Sequence, residues 1–227
     1  MEEINLPAGI VTINPYAFSS CSSLSAIQLP EGLIAIGDNA FSYCSNLKQI
    51  QWSSTIVTIG NNAFRGCDSI TNLSLPSNIT SIGNGAFAEC DGLLTVSIPG
   101  SIKTISDEAF NYCTRLTQVT INSGTEVIGA YAFNKCSMLS NVTLPDTLKE
   151  IKNNAFYQCV SLVEITIPAQ VTYISKYAFC ICSSLQRVYF ENTEGWVQDS
   201  WSNLNVTDAQ ANARVLKLDS AGSWRRS

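Results

Sequence analysis

A cysteine recurs every 23 residues along most of the chain, at Cys21, Cys44, Cys67, Cys90, Cys113, Cys136, Cys159 and Cys182. An Ala-Phe pair keeps the same interval, from Ala17-Phe18 through to Ala178-Phe179. Eight registers without an insertion mean one structural unit repeated in line. Any change in repeat length would turn the same residue types to different faces in neighbouring units. A fixed period in the twenties marks a solenoid, in which each unit buries its apolar face only against its neighbours. This constraint decides the fold and narrows the class of function, but it names no ligand.

Counted from each cysteine, the template reads Cys-x-x-Leu-x-x-Ile-x-Leu-Pro-x-x-Leu-x-x-Ile-Gly-x-x-Ala-Phe-x-x. The column six residues on holds Ile27, Ile50, Leu73, Val96, Val119, Val142, Ile165 and Val188. The column eight on holds Leu29, Trp52, Leu75, Ile98, Ile121, Leu144, Ile167 and Phe190. Apolar positions alternating around a polar one have strand period, and the β-branched residues among them suit strands. Stacked in parallel at roughly 4.8 Å per strand, eight repeats make a slab of ~40 Å. Pro30, Pro76, Pro99, Pro145 and Pro168 then end the strand. A second short strand is anchored by Ile36, Ile59, Ile82, Ile105, Ile128, Ile151 and Ile174.

Gly37, Gly60, Gly83 and Gly129 follow that anchor and suit a positive-φ turn. Asp38, Asn61, Asn84, Asp107 and Asn153 come next and are N-cap residue types. Ala-Phe-x-x-Cys then spans one helical turn, with Phe and Cys three apart on a buried face. Each repeat is predicted as strand, turn, short strand and helical turn, so the solenoid is mainly β with short helical turns. Two junctions depart from the template. Trp52-Ser53 lacks the proline, and Asn122-Ser123-Gly124-Thr125 lacks both proline and apolar anchor, which predicts a local bulge or slight bend.

The 227 residues are 45% hydrophobic and carry a net charge of −5. The basic residues form no cluster before Arg225 and Arg226, so nucleic acid, which needs a basic stripe, is not an expected partner. No apolar run reaches the ~18 residues of a membrane helix. Met1-Glu2-Glu3 is acidic where a secretory signal is basic, and the chain opens in mid-repeat at Ile4–Pro7, as a trimmed segment would.

Several columns carry candidate chemistry. The cysteine column could suggest disulfides or zinc, but equivalent side chains point the same way along a stack. There is no histidine and no Cys-x-x-Cys pair. A small buried apolar filler is the simpler reading, and no metal or cofactor is expected. Cys180 occupies a column of Ser19, Ser42, Arg65, Ala88, Asn111, Asn134 and Tyr157 that reads as exposed, which would make it a surface thiol. Asp68 and Asp91 share a column in adjacent repeats, where paired carboxylates could serve acid/base chemistry or calcium. The same column otherwise holds Ser and Thr and reads as turn capping. Lys103, Glu126 and Lys149 predict a surface ion-pair ladder. The sequons at Asn72, Asn78, Asn141 and Asn205 matter only in a eukaryotic secretory pathway.

The outward strand columns make the broadest candidate surface. One holds Ala26, Gln49, Asn72, Thr95, Gln118, Asn141, Glu164 and Arg187. The other holds Gln28, Gln51, Ser74, Ser97, Thr120, Thr143, Thr166 and Tyr189. The result is a nearly neutral face of hydroxyls and amides, the kind of extended surface on which solenoids bind partners. Interface hot spots favour Trp, Tyr and Arg, which this face lacks until Arg187 and Tyr189. Beyond residue 191 the interval is lost. Residues 192–227 read as a C-terminal cap over an otherwise open solenoid end. Trp196, Trp201 and Trp224 are either part of that cap or an aromatic sugar site. Residues 209–218 suit a helix or a last strand, and 220–227 a frayed end.

The Ile-Gly-x-x-Ala-Phe-x-x-Cys-x-x-Leu core, over about residues 4 to 191, resembles the BspA-like leucine-rich repeat family, a 23-residue class found in surface proteins of bacteria and some protozoa. Val188–Trp196 is similar to the closing segment of that family, with Asn192-Thr193 at its turn. The resemblance implies a right-handed leucine-rich-repeat stack over 1–191 with a cap over 192–227. It also implies an extracellular or cell-surface location and non-enzymatic, adhesin-type binding of a protein, such as a host or extracellular-matrix protein. The alternatives are a carbohydrate-active β-solenoid enzyme using Asp68 and Asp91, a glycan binder, and a structural spacer within a larger surface protein.

Overall fold

The computed structural model describes residues 3–194, 196–198, 212, 216 and 223–226. It is a β-solenoid whose repeats each contribute one long and one short strand. The long strands are β1 (Glu3–Asn5), β3 (Ala26–Gln28), β5 (Gln49–Gln51), β7 (Asn72–Ser74), β9 (Thr95–Ile98), β11 (Gln118–Ile121), β13 (Asn141–Thr143), β15 (Glu164–Ile167) and β17 (Arg187–Phe190). The short ones are β2 (Thr12–Ile13), β4 (Ala35–Ile36), β6 (Thr58–Ile59), β8 (Ser81–Ile82), β10 (Thr104–Ile105), β12 (Val127–Ile128), β14 (Glu150–Ile151) and β16 (Tyr173–Ile174). Strand pairing between repeats is parallel, and each residue faces its equivalent 23 positions away, as in Val96↔Val119 and Ile128↔Ile151.

The core is a set of ladders. Seven phenylalanines from Phe41 to Phe179 are fully buried, and with the half-buried Phe18 they form one stack. Their centroids lie 5.2 to 5.6 Å apart and their planes within 12° of parallel. The buried thiols do more than fill space. Each donates to the phenylalanine carbonyl one repeat back, as Cys67 Sγ does to Phe41 at 3.2 Å and Cys113 Sγ to Phe87 at 3.1 Å. That carbonyl also accepts from the cysteine amide of its own repeat, as Phe41 does from Cys44 at 3.2 Å. The cysteines form no disulfide. Burial pushes their pKa values up, to about 11 for Cys44 and about 12 for Cys90. The thiol form needed for donation is therefore the stable one.

The Ala-Phe-x-x-Cys segment is not a helical turn. It is a run of tight turns in which two residues per repeat take left-handed backbone angles, as Glu108 (φ 60°) and Tyr112 (φ 61°) do in one turn and Tyr131 (φ 58°) and Lys135 (φ 59°) in the next. Amides then alternate in use. Those of Tyr16, Phe18 and Ser20 donate to Asp38, Ala40 and Ser42 in the next repeat. Those of Ala17, Ser19 and Cys21 donate three residues back. The alternation gives the turn edge its own inter-repeat ladder, which a helix, with all amides satisfied internally, could not supply.

Three further expectations are corrected. Gly37, Gly60, Gly83 and Gly129 do not adopt positive φ. They sit where the preceding repeat's backbone closes in, and a Cβ on Gly83 would lie 2.4 Å from the Asn61 nitrogen. Of the expected caps, Asp38, Asn61 and Asp107 accept from an amide of the next repeat instead of capping their own segment, and Asn153 Oδ1 has no partner among the described residues. Asp38 Oδ1 takes the Asn61 amide at 2.7 Å, and Asn61 Oδ1 takes that of Asn84 at 2.8 Å. The expected bulge at Asn122–Thr125 is also absent, since β11 before it pairs with β9, and β12 after it with β10 and β14, at the same 23-residue interval. Thr125 replaces the apolar anchor while fully buried, because its hydroxyl donates to the Ile102 carbonyl at 2.7 Å.

At the C-terminal end, β18 (Trp196–Gln198) and β19 (Trp224–Arg226) extend the short-strand sheet antiparallel from β16. Trp224 is buried, and the Arg226 amide and guanidinium donate to Thr172 and Ala169. Residues 224–226 are thus a paired strand rather than a frayed end. Of the expected helix or strand over 209–218, Asn212 and Leu216 are helical and buried, and the remainder lies outside the described residues. No helix among the described residues is long and apolar enough to cross a membrane.

Candidate functional site

The long strands present the outward columns as expected. Gln28, Gln49, Gln51, Asn72, Ser74, Gln118, Asn141, Thr143, Glu164, Thr166 and Tyr189 are exposed, and Thr95, Ser97, Thr120 and Arg187 are half-buried. In-register stacking links them along the axis. The Thr95 hydroxyl donates to Asn72 Oδ1 at 2.7 Å, and Arg187 grips Glu164 at 2.8 Å.

The face is not one sheet. The long strands group as β1-β3-β5, β7-β9-β11-β13 and β15-β17, with no ladder pairing from β5 to β7 or from β13 to β15. On the N-terminal side of each opening, residues of the inward columns become half-exposed: Ile50 and Trp52 at the first, Val142 and Leu144 at the second. The first opening coincides with the departure at Trp52-Ser53, where Trp52 turns edge-on to Phe64 at 5.8 Å. The second, between repeats that keep the template, had no signal in the sequence. A cleft of about 730 Å³ spans it, lined by Ser140–Leu144, Glu164–Thr166, Pro168 and Glu191. A shallower cleft of about 320 Å³ lies over Asn72, Ser74, Thr95, Ser97, Gln118 and Thr120 on the unbroken central sheet.

Asp91 Oδ1 accepts from the Thr114 hydroxyl at 2.8 Å, the turn capping that its column suggested. Burial raises the Asp68 carboxyl above its ordinary value, partly offset by the Asp91 amide. Neither residue lines these clefts. No group of three or more His, Cys, Asp or Glu that could hold a metal occurs among the described residues. In the Lys103/Glu126/Lys149 column, Lys149 pairs with Glu126 at 2.7 Å, whereas Lys103 donates to the Gly124 carbonyl instead.

The Cys180 column is half-buried to buried rather than exposed, because its side chains lie against the turn ladder. Trp196 and Trp224 are unavailable to a sugar. Both are buried, and Trp196 packs edge-on to Phe190 at 5.0 Å while its indole donates to the Asn192 carbonyl. Trp201 and Asn205 lie outside the described residues. Asn72 and Asn141 are exposed, but the Asn78 amide is engaged with the Ile56 carbonyl.

Two overlapping stretches, 1–117 and 103–221, match the model of the BspA type leucine rich repeat region. No curated protein matches the chain. Among solved structures, it is similar to a leucine-rich repeat protein from Bacteroides ovatus, at 30% identity and a TM-score of 0.68, covering 85% of this chain and 56% of that one. A leucine-rich repeat protein from Eubacterium ventriosum is similar at 29% identity and a TM-score of 0.68, over 82% of this chain and 48% of that one. The T. pallidum leucine rich repeat protein is similar at 25% identity and a TM-score of 0.58, over 81% of this chain and 77% of that one. The chain thus spans about half the length of the first two.

Proposed function

The chain belongs to the BspA-type leucine-rich repeat family, and from that premise we propose that it is a non-enzymatic binding module displayed outside the cell. In this reading residues 1–191 form the binding solenoid and 192–227 close it. A protein ligand, of host or extracellular-matrix type, docks along the long-strand face. The observation that carries the proposal is the central sheet β7-β9-β11-β13. There Asn72, Ser74, Gln118, Asn141 and Thr143 stand exposed in register with no ionised group among them. Such a surface offers many weak hydrogen bonds without the cost of desolvating charge. The core ladders hold it rigid, which limits the ordering cost on association. The cell-surface location rests on the family resemblance. The enzyme alternative is disfavoured by the engagement of Asp91 with Thr114.

The test is binding of the purified chain, under reductant, to an immobilised panel of fibronectin, laminin, collagen and fibrinogen. The comparison is a variant with Gln51, Ser74, Ser97 and Thr120 changed to Lys. Binding by the native chain that the variant loses supports the proposal. Equal binding by both places the partner elsewhere, and silence across the panel favours the spacer.

A further inference from the structure

The turn edge of the last repeats carries a second surface, remote from the long-strand columns and chemically unlike them. Tyr112, Tyr131, Tyr157 and Tyr177 line a cleft of about 460 Å³ together with Lys135 and two buried asparagines, Asn134 and Asn154. Three of these tyrosines sit at left-handed positions, Tyr112 at 61°, Tyr131 at 58° and Tyr177 at 61°. That region disfavours bulky side chains and is tolerated best by Gly and Asn. Some equivalent positions hold such residues, Asn39, Asn62, Gly85 and Asn154 in one column and Gly66 in the other, while Tyr16 and Tyr43 repeat the tyrosine near the N-terminus. Tyrosine is therefore kept here against local preference, and Tyr112 and Tyr131 remain 39% exposed, so core packing does not repay the strain.

Charge singles out the same edge. The segments 129–136, 152–159 and 175–182 contain Lys135, Lys152 and Lys176 and no carboxylate, in a chain of net charge −5. Of the five earlier turns, 14–21 and 60–67 also lack a carboxylate, but they are not consecutive, and the others carry Asp38, Glu89, and Asp107 with Glu108, the last pair in the turn that supplies Tyr112. Lys135 Nζ lies 4.4 Å from the Tyr112 ring centre and bonds its hydroxyl, and Lys176 Nζ lies 5.7 Å from that of Tyr177. In the cleft wall, Asn134 donates to Asn111 at 2.8 Å, but its Oδ1 has no donor, because Tyr157 follows it where another amide would extend the ladder.

We propose that this tyrosine-lysine cleft binds an anionic oligosaccharide, carboxylated or sulfated. Aromatic faces stack against pyranose rings, phenol and amide groups meet hydroxyls, and the ammonium groups neutralise the acid. Repeats advance by the 5.2 to 5.6 Å of the phenylalanine stack, close to the length of one pyranose in an extended chain, so successive tyrosines can meet successive sugars. The inference does not rest on the long-strand proposal, since it uses another face and other residues.

The test is calorimetric titration of the whole chain with a heparin hexasaccharide, hexagalacturonate, neutral cellohexaose and oligothymidylate. At least one anionic hexasaccharide should bind, and which one distinguishes sulfate from carboxylate. Tyr131→Asn with Tyr177→Asn should weaken that binding by about tenfold or more while leaving the melting temperature unchanged or higher, since Asn is the easier left-handed residue. Lys135→Gln should weaken it by a smaller factor and flatten its salt dependence. Silence toward both anionic sugars, equal affinity for cellohexaose, competition by oligothymidylate, or unchanged binding by the double tyrosine variant would overturn the assignment.

Discussion

Phe110→Ala removes one ring from the middle of the stack. Phe110 is fully buried, with Phe87 and Phe133 at centroid distances of 5.6 and 5.4 Å. Truncating a buried phenylalanine costs about 3 to 5 kcal/mol through lost transfer energy and the cavity left behind. Here the upper half of that range is expected. Two stacked contacts disappear together, each worth about 0.5 to 1.5 kcal/mol beyond area burial. Collapse is also hindered, because the flanking rings are held by the turn ladder. Thr120→Ala, one strand face away and half-buried on the outer column, should stay within about 0.5 kcal/mol. Urea unfolding followed by circular dichroism reads both variants through midpoint and slope. Because each repeat contacts only its neighbours, Phe110→Ala should also split the transition, with the two halves melting separately. Equal, small shifts for the two variants would refute the division into inward and outward columns.

Gly83→Ala should cost about 1 to 3 kcal/mol by crowding the Asn61 backbone, although Gly83 has an ordinary φ, and a shift in urea midpoint reads it. Alkaline stability should fall steeply. Buried thiols such as Cys44 and Cys90 keep their protons in the folded chain up to about 11 and about 12, whereas unfolded thiols ionise near 9. The stabilisation is whole below that lower value and is lost as pH rises, by about 1.4 kcal/mol per unit for each such thiol. Cys90→Ala should lower that slope by about one proton's worth in a pH series of urea titrations. Under native conditions a thiol reagent should label the half-buried Cys21 and Cys180 far faster than the buried cysteines, read by mass spectrometry.

Most of the fold was legible because a solenoid repeats its evidence. The Ile27 and Leu29 columns, the phenylalanine and cysteine ladders and the in-register outer face all follow from alternation and period alone. The turn conformation was not, for a physical reason. Phe and Cys three residues apart face the same way both in a helix and in successive tight turns, so spacing does not separate them. The residues that do, Tyr112 and Tyr131, sit at left-handed positions that favour Asn and Gly, so their identities hid the geometry. Gly83 misled in the opposite sense, because glycine answers both a positive φ and a close backbone approach. The opening beside Val142 and Leu144 had no local signal, since it depends on how repeats lean on one another. The tyrosine cleft was hidden because Tyr131 and Tyr177 share one column, two repeats apart, while Tyr112 and Tyr157 fall in two others, and the four meet only once the turns are built.

The proposal that the long-strand face carries protein binding is tested most directly by hydrogen exchange of the chain alone and mixed with whichever matrix protein of the panel it binds. The account predicts slowed exchange at Asn72–Ser74, Thr95–Ile98 and Gln118–Ile121, with the short strands unchanged. Protection confined to the turn edge or to the C-terminal strands, with the long strands exchanging as in the free chain, would contradict it.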